Sequence, residues 1–222
     1  MVLAYETATD VCSVSFQDNS GEIFEKRIQG RSVHSDNLFL FTSELMSEHS
    51  FQMKDVKAVL VSNGPGSYTG LRIAASAIKG ILFGLDTPLF EVNTLAGFAK
   101  GVSGIGESTR IHAVIDARRT HVYHQLFSTE GGFSSISQLM IKEIAEVESE
   151  FETGEILIGT GINRFSKSSL SEVKTFDSEF ISASNLIRLF EEETSNTFCK
   201  EVSVEELNPN YITSNQVNNS AS

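Results

Sequence analysis

The sequence of 222 residues has no tryptophan and only two cysteines, Cys12 and Cys199. Neither cysteine falls at a metal-binding spacing such as C-x-x-C, and the two are too few for a disulfide framework. Cys12 alternates with Val14 and Phe16 along one predicted strand, so we expect it to be a small apolar residue of the core. The cysteine content excludes a cysteine-based metal domain and fits a reducing compartment.

Basic residues are scarce too: 17 lysines and arginines against 29 aspartates and glutamates give a net charge of −12. Contacts to phosphates need a basic surface, so this balance argues against strong independent binding of a nucleic acid. The acidity has two interpretations. It either keeps the surface solvated and the protein soluble, or it reflects a basic partner that carries the RNA contacts.

Long hydrophobic runs are also absent. The longest apolar segment, Leu71 to Leu85, is interrupted by Arg72 and Lys79 and is too short and too charged to span a bilayer. The first ten residues lack a basic region followed by an apolar core, so we expect no signal peptide. Together these features predict a cytoplasmic protein without membrane association.

What the sequence contains instead is an alternation of predicted strands and helices. The first half begins with three strands, VLAYET, VCSVSFQ and GEIFEKRIQ, of which VCSVSFQ alternates as a half-buried strand should. A helix at about Ser32–Glu48 comes next, and the continuous apolar run VKAVLVSNG predicts a strand buried on both faces. A helix at about Tyr68–Phe83, the strand TPLFEV and the capped helix NTLAGFAKG complete this half.

A break divides the chain at Gly101–Thr109, which is rich in glycine and serine and has no periodicity. The strand pattern restarts beyond it with RIHAVIDAR and THVYHQLF, and EILIGTGIN echoes the earlier AVLVSNGPG. We therefore predict an α/β fold with two related lobes, residues 1–101 and 102–213, that arose by internal duplication. The polar residues 214–222 are predicted to form a disordered tail.

The stretch SNGPGSYTGLRIAAS, Ser62–Ser76, looks like a phosphate-binding loop but fits neither common pattern. Thr69 stands where the Walker loop and the dinucleotide loop G-x-G-x-x-G both require glycine. We expect Gly66 to supply a positive backbone angle and Ser67 or Thr69 to cap the following helix. Two interpretations remain open: an anion held at the helix start, or a tight capped turn without a ligand.

The helix after this loop carries small residues that would let another element approach closely. One set recurs every four residues. These small residues are Gly70, Ala74 and Ala77, and, at four-residue spacing, Ser76, Gly80 and Gly84. The pattern predicts internal packing against the sheet, a helix-on-helix subunit interface, or both on opposite faces.

Four stretches, ETATDVCSVSF, HSDNLF, SNGPGSYTGLRIAASAIKG and VIDARRTHVY, resemble the TsaB (YeaZ) family. They cover the first half of the chain and a little beyond, in the family's order, whereas NPNYIT near the end resembles the family's terminal pattern only loosely. The resemblance implies a sugar-kinase/Hsp70/actin-like (ASKHA) fold with two internally duplicated α/β lobes.

The resemblance also implies a function in making threonylcarbamoyladenosine (t6A) in tRNA. It implies that this chain is a non-catalytic scaffold. The chain would be the smaller paralogue and the partner of the catalytic transferase TsaD, and a small ATPase, TsaE, would join the two. Such subunits pair through the helices of the first lobe, with TsaD or, in isolation, with themselves. TsaD would hold ATP and a metal ion, so this chain alone would bind no cofactor and would meet tRNA only indirectly.

The resemblance places the partner interface on the two long helices of the first lobe. The expected interface residues are His34, Leu38, Phe41, Leu45, Thr69, Gly70, Arg72, Ile73, Ala74, Ala77 and Gly80. A charge introduced at Ala74 or Ala75 is then expected to abolish partner binding without unfolding the chain.

Catalytic relatives carry a metal site on H-x-x-x-H in the first helix, because one helical turn places both imidazoles on one face. Here His34 is followed by Leu38, which cannot bind a metal. His49 and His112 are not at that spacing, and His121 and His124 lie three apart in a strand, on opposite faces. We therefore expect no metal site and no catalytic residue.

The candidate nucleotide contacts are Glu6, Thr7, Thr9 and Asp116. The first three follow the opening strand, where ATP-using relatives more often carry aspartate than the longer glutamate. Asp116 has an alternative structural role, in which it caps a turn or pairs with Arg118 or Arg119. We expect negligible nucleotide hydrolysis by this chain alone.

Two other functions compete with a scaffold. An ATP-dependent phosphotransferase or ATPase of the same fold acting alone would need a base, a metal carboxylate and an adenosine pocket, for which GTGINRF is a candidate. A metallopeptidase would need a second histidine on the first helix, which the sequence lacks.

Overall fold

The structure, a computed structural model, describes residues 1–105, 110–192 and 197–210. The chain forms two compact units, one built from Met1–Gly97 and the segment that begins at Ser182, the other from Phe98–Ile181. The elements of the first part, in chain order, are β1 (Val2–Glu6), β2 (Val11–Gln17), β3 (Ile23–Gln29), α1 (His34–Glu48), β4 (Ala58–Ser62), α2 (Tyr68–Ile81), β5 (Leu89–Val92) and α3 (Thr94–Val102). Those that follow are β6 (Arg110–Asp116), β7 (His121–Ser128), β8 (Ser134–Ser135), β9 (Met140–Glu143), α4 (Ile144–Glu148), β10 (Ile156–Gly159), α5 (Lys167–Leu170), β11 (Lys174–Phe176), α6 (Ala183–Glu192) and β12 (Cys199–Val202).

Each unit contains one mixed sheet, and the two sheets share a strand order. The first runs β12-β5-β4-β1-β2-β3 and the second β11-β10-β6-β7-β8, with β9 also paired to β7. In both, an antiparallel hairpin (β1–β2, β6–β7) is extended on one side by two parallel strands (β4 and β5, β10 and β11). The internal duplication expected from the sequence is therefore confirmed at the level of topology.

The predicted lobe boundary needs one correction. The first unit ends at Gly97, near the expected residue 101, but residues from Ser182 onward return to it instead of staying with 102–213. The physical reason is pairing and packing: β12 adds to the free edge of β5, and α6 covers β1 and β2. The predicted tail 214–222 lies outside the described residues.

Strand β2 is more deeply buried than its alternating sequence suggests. Cys12, Val14 and Phe16 face a core beneath α1 and α2, as the alternation predicts. The other face was expected to meet solvent, yet Ser13 and Ser15 are fully buried. Ser13 Oγ accepts a hydrogen bond of 2.8 Å from the Ala183 N–H at the start of α6, an element about 170 residues away. The prediction of a half-buried strand is therefore wrong.

The helix predictions are confirmed within one or two residues. Helix α1 begins at His34, two residues after its predicted start, and α2 spans Tyr68–Ile81. Asn93 caps α3, because its Oδ1 accepts the Ala96 N–H at 3.0 Å. Of the helices in the described ranges, none combines the length and the apolar character needed to span a membrane.

Candidate functional site

Helices α1 and α2 of the first unit present two opposite faces with different composition. The inner face of α2 packs Ala74, Ala77 and Ile78 against Leu38 and Leu45 of α1, and all five are buried. The outer face is exposed. Its members are Tyr68, Arg72, Ser76 and Gly80, which recur every four positions along α2, and Thr69 beside Tyr68.

An open groove of about 550 Å³ follows this outer face. Its wall on α1 includes Phe39, which is 52% exposed, and its wall on α2 begins with Tyr68, which is 57% exposed. Arg72 lies over the Tyr68 ring, 5.1 Å from its centroid, and donates a hydrogen bond to the tyrosine hydroxyl. Gly80 would meet no neighbour with an added Cβ, so the backbone there is open to another molecule.

The expected interface residues divide between these two faces. Thr69, Arg72 and Gly80 are exposed, and Ile73 and Phe41 are partly exposed. The others are buried inside the unit, which corrects the prediction for them, although Ala77 also borders the groove. These buried residues are His34, Leu38, Leu45, Gly70, Ala74 and Ala77. The physical reason is that Ala74 and Ala77 are small enough for α2 to pack closely on Leu38 and Leu45 of α1 in one core cluster.

The same finding corrects the expected effect of charges on α2. Ala74 is fully buried and Ala75 nearly so. A charge at either position would enter the core of the unit, so it would unfold the chain instead of selectively abolishing partner binding.

His34 occupies the position of the first histidine of H-x-x-x-H, and its environment is closed. It is buried, and its Nε2 has no hydrogen-bond partner in the described structure. Burial lowers the pKa of His34, although backbone hydrogen bonds to Thr9 and Val11 oppose this. Leu38, one turn later, belongs to the core.

The turn after β1 holds Glu6, Thr7 and Thr9, and all three are buried. Glu6 Oε1 accepts the Ala8 N–H at 2.6 Å, and Thr7 Oγ1 donates to the Gly70 carbonyl at 3.1 Å. Burial raises the pKa of Glu6 to about 7, against hydrogen bonds from the Ala8 backbone and Ser62. Glu6 Oε1 and Thr7 Oγ1 are thus bonded within the protein, whereas Glu6 Oε2 is buried without a partner among the described atoms.

The glycine loop fills the space in front of this turn. The Ser67 N–H donates to the Ala8 carbonyl at 2.6 Å, and a Cβ on Gly66 would lie 2.4 Å from that carbonyl oxygen. Ser67 Oγ caps α2 by accepting the Gly70 N–H at 3.2 Å, as expected. The prediction of a positive backbone angle at Gly66 is wrong, because that angle is found at Gly64 (φ +114°). Position 66 requires glycine for another reason, the close approach of the Ala8 carbonyl.

Asp116 of the second unit lies at the end of β6 and is engaged in its own hairpin turn. Its Oδ1 accepts the Arg118 N–H at 2.7 Å and pairs with Arg164 Nη1 at 2.6 Å. Asp116 therefore has the structural role that was the alternative to nucleotide binding: it caps a turn and pairs with an arginine. That arginine is Arg164 instead of Arg118 or Arg119.

The second unit also contains a polar cluster that sequence reasoning missed. The register of β6 and β7 sets His112 opposite Leu126, so His124 is its diagonal neighbour on the same face. Both histidines are fully buried, with His112 Nδ1 and His124 Nε2 3.0 Å apart, and Glu155 Oε2 lies 2.8 Å from His112 Nε2. Helical spacing cannot reveal this pair, whereas the predicted hairpin could have suggested it.

Comparisons with known proteins agree with this architecture. The duplicated sheets define the sugar-kinase/Hsp70/actin-like fold that was expected from the sequence. The solved structure "YeaZ from Pseudomonas aeruginosa" matches with a TM-score of 0.80 over 95% of this chain and 99% of that one, at 24% identity, which establishes a common fold.

Sequence comparison is more specific. A profile of the family described as "TsaD: tRNA N6-adenosine threonylcarbamoyltransferase" matches residues 29–175. The Escherichia coli (strain K12) protein "tRNA threonylcarbamoyladenosine biosynthesis protein TsaB" is 28% identical over 165 residues, 72% of this chain and 71% of that protein. A Staphylococcus aureus (strain MSSA476) "tRNA N6-adenosine threonylcarbamoyltransferase" is 29% identical over 113 residues, 44% of this chain and 33% of that protein. The chain therefore belongs to the threonylcarbamoyltransferase family and, within it, to the TsaB (YeaZ) proteins.

Proposed function

We propose that this chain acts in the synthesis of t6A in tRNA as a non-catalytic scaffold subunit. It dimerises with a TsaD-like catalytic paralogue through the outer face of α1 and α2 and supports the activity of that partner. The observation that carries this proposal is the exposed apolar groove between these two helices, lined by Phe39, Tyr68 and Ile73.

The composition of this face supports a protein partner. Interfaces between proteins are enriched in aromatic residues and arginine at their centres, and Phe39, Tyr68 and Arg72 provide these here. Ser76 and Gly80, together with Gly84, form the exposed small-residue stripe along which a helix of a partner could approach closely. The inner stripe of small residues is occupied, so only the outer one is available.

The absence of a catalytic role is supported by the two places where relatives carry their chemistry. Leu38 has replaced the second metal-binding histidine and is part of the core. Glu6 Oε1 and Thr7 Oγ1 are bonded to neighbouring protein atoms, and the glycine loop covers the carbonyl of Ala8. In this proposal the TsaD-like partner binds ATP and the metal ion that serves catalysis, and neither of these two groups binds at the turn after β1 or at α1 of this chain.

The other members of the assembly follow from the same proposal. The net charge of −12 leaves the contacts with tRNA to the partner. A TsaE-like ATPase completes the assembly, and in isolation two copies of this chain pair through the same outer face. The site of action is the cytoplasm, where the tRNA substrate is modified.

The test is a comparison of two apolar-to-acidic variants at similarly exposed positions. Phe39 is 52% exposed in the groove of the first unit, whereas Ile136 is 49% exposed and belongs to the second unit. We expect Phe39→Asp to weaken binding to the TsaD-like subunit by about 30-fold or more, as for a central aromatic anchor, and to lower t6A formation in a reconstituted assay. Ile136→Asp should leave both unchanged.

Sedimentation of each variant with the catalytic subunit measures binding, and circular dichroism verifies that both variants are folded. Full affinity of folded Phe39→Asp, or an equal loss in the two variants, would contradict the proposed interface. Undiminished t6A formation when this chain is omitted from the reconstituted system would contradict the supporting role.

A further inference from the structure

The buried histidine pair of the second unit has a fixed protonation pattern on one side. Glu155 accepts the backbone N–H of Glu152 at 3.0 Å and forms an ion pair with Arg110. This ionised carboxylate lies 2.8 Å from His112 Nε2, which therefore carries the ring proton. The lone pair of His112 is left on Nδ1, directed at His124. Metal-binding histidines are oriented in this way, with the other ring N–H donated to a carboxylate.

A third potential ligand lies beside the pair. One ligand atom from each of His112, His124 and Glu150 can be chosen so that all three lie within 4.8 Å of one another. Lys142 pairs with Oε1 of Glu150, which leaves Oε2 of that carboxylate to bind a cation. Lys142 also has an alternative partner in Glu146, whose carboxylate lies 3.6 Å from its Nζ.

The cluster is incomplete as a set of hydrogen bonds. His124 Nδ1 is buried and has no partner among the described atoms. Nδ1 lies on the opposite side of the ring from Nε2, so an ion bound at Nε2 would leave it unchanged. What supports an ion site is the convergence of the three ligand atoms.

We propose that His112, His124 and Glu150 form a binding site for a divalent transition metal of the zinc type, oriented by Glu155. Two imidazoles and one carboxylate are a ligand set that zinc uses in proteins. The site lies within the second unit and is independent of the partner face on α1 and α2. Its effect is structural, because the ion would join β6, β7 and the segment after α4.

The present spacing of the histidines is compatible with an ion. Tetrahedral zinc, with bonds of about 2.0–2.1 Å to nitrogen, holds two ligand nitrogens about 3.3 Å apart. His112 Nδ1 and His124 Nε2 are 3.0 Å apart, which is within a few tenths of an ångström of that separation. With a cation between the two rings, neither imidazole has to donate a hydrogen bond to the other, because each ring nitrogen gives its lone pair to the ion.

The experiment uses the full chain, treated with chelator and then titrated with Zn²⁺ by calorimetry and with Co²⁺ by visible absorption. We expect one equivalent to bind, with Co²⁺ bands typical of a tetrahedral nitrogen and oxygen site and a rise in melting temperature. Glu150→Gln and His124→Gln should lower the affinity by at least about 100-fold, and Glu155→Gln by about 10–100-fold.

The matched control is His121→Gln, which removes the partly exposed histidine three residues earlier in the same strand and should keep full affinity. Lys142→Gln removes a competing cation and should increase the affinity several-fold. Melting curves of the metal-free variants show which of them are folded, and Glu150→Gln, at a partly exposed position, keeps the test available if His124→Gln unfolds.

Two results would overturn the proposal. One is the absence of saturable Zn²⁺ or Co²⁺ binding by the natural chain, which would leave His112 and His124 as a hydrogen-bonded pair only. The other is equal affinity in the natural chain and in folded Glu150→Gln, which would place the ion at another group of side chains.

Discussion

The two units share a strand order but differ in the helices that accompany it. The first carries α1 with 15 residues and α2 with 14, whereas the second has α4 with 5 and α5 with 4 between its strands. A two-layer packing needs helices long enough to bury one face and still present another. Within the described ranges, the first unit is the one with a pair of helices this long, and the proposed partner face lies on them, although the duplicated sheets are alike.

Buried carboxylates show a second difference between the units. Glu6 of the first unit has one oxygen without a partner, and burial raises its pKa to about 7. Glu155 of the second unit is flanked by Arg110 and His112. Burial opposes ionisation there too, but the backbone N–H of Glu152, His112 and Arg110 together lower the pKa of Glu155. The two units therefore bury carboxylates whose pKa values are shifted in opposite directions, upward for Glu6 and downward for Glu155.

The largest effect is expected from the two faces of α2, the helix that distinguishes the units. Ala74→Asp places a charge in the core, so it should lower the free energy of unfolding by about 3–5 kcal/mol. Ser76→Asp, two residues later on the outer face, should change it by less than about 0.5 kcal/mol yet weaken partner binding. Urea unfolding and sedimentation measure the two quantities. Similar stability of the two variants would refute the assignment of the faces.

A smaller effect is expected at the glycine that ends β10. A Cβ on Gly159 would lie 1.8 Å from the Val114 carbonyl oxygen, and its φ is +131°. Gly159→Ala should therefore destabilise the chain by about 3 kcal/mol in thermal or urea unfolding. Gly80→Ala, where the added methyl meets nothing, should be neutral or stabilising by up to about 1 kcal/mol. A harmless Gly159→Ala would contradict the close packing of β10 on β6.

The raised pKa of Glu6 predicts that the free energy of unfolding depends on pH, and Glu6→Gln should remove this dependence. Its folded pKa of about 7 exceeds the ordinary value of 4.5, so the protonated form favours folding. This stability is present below about pH 4.5 and is lost as the pH rises through 7. At pH 8, Glu6→Gln should be more stable than the natural chain by about 3 kcal/mol, and at pH 5 by much less.

Urea unfolding at the two pH values measures this difference. The exposed Glu22→Gln controls for the change in net charge and should show no such dependence. An equal effect of Glu6→Gln at pH 5 and pH 8 would show that Glu6 is ionised in the folded chain throughout this range.

The smallest effect is expected at the turn of the β6–β7 hairpin. This turn is exposed, whereas the turn of the β1–β2 hairpin is buried. Asp116 and Arg164 pair at 2.6 Å, with side chains 40% and 28% exposed. Arg164→Ala should cost less than about 1 kcal/mol and leave partner binding intact. A melting temperature reduced by more than about 8 °C would indicate that this pair contributes more than an exposed pair does.

Local patterns in the sequence predicted most of the fold correctly. The caps at Ser67 and Asn93, the apolar runs of β4 and β10, and the periodicity of α2 are each determined by neighbours a few residues apart. Such features depend on backbone geometry and on hydrophobic spacing, which the sequence displays directly. The same holds for the H-x-x-x-H pattern, because the sequence shows directly that Leu38, and no second histidine, follows His34 by one helical turn.

Predictions that depend on distant neighbours failed. The sequence showed small residues on two stripes of α2 but not which stripe the chain itself would use, because that depends on where α1 packs. Nor did it show that α6 would cover Ser13, or that the register of β6 and β7 would bring His112 to His124.

The sequence by itself determined the secondary structure, the duplicated α/β plan and the loss of the paired histidines on α1. Only the tertiary structure decided which small residues of α2 face the core and which face outward, to which unit the segment after Ser182 belongs, and that two histidines meet inside the second sheet. The reason is that helix caps and hydrophobic periods act over a few residues, whereas burial and strand register depend on segments far apart in the chain.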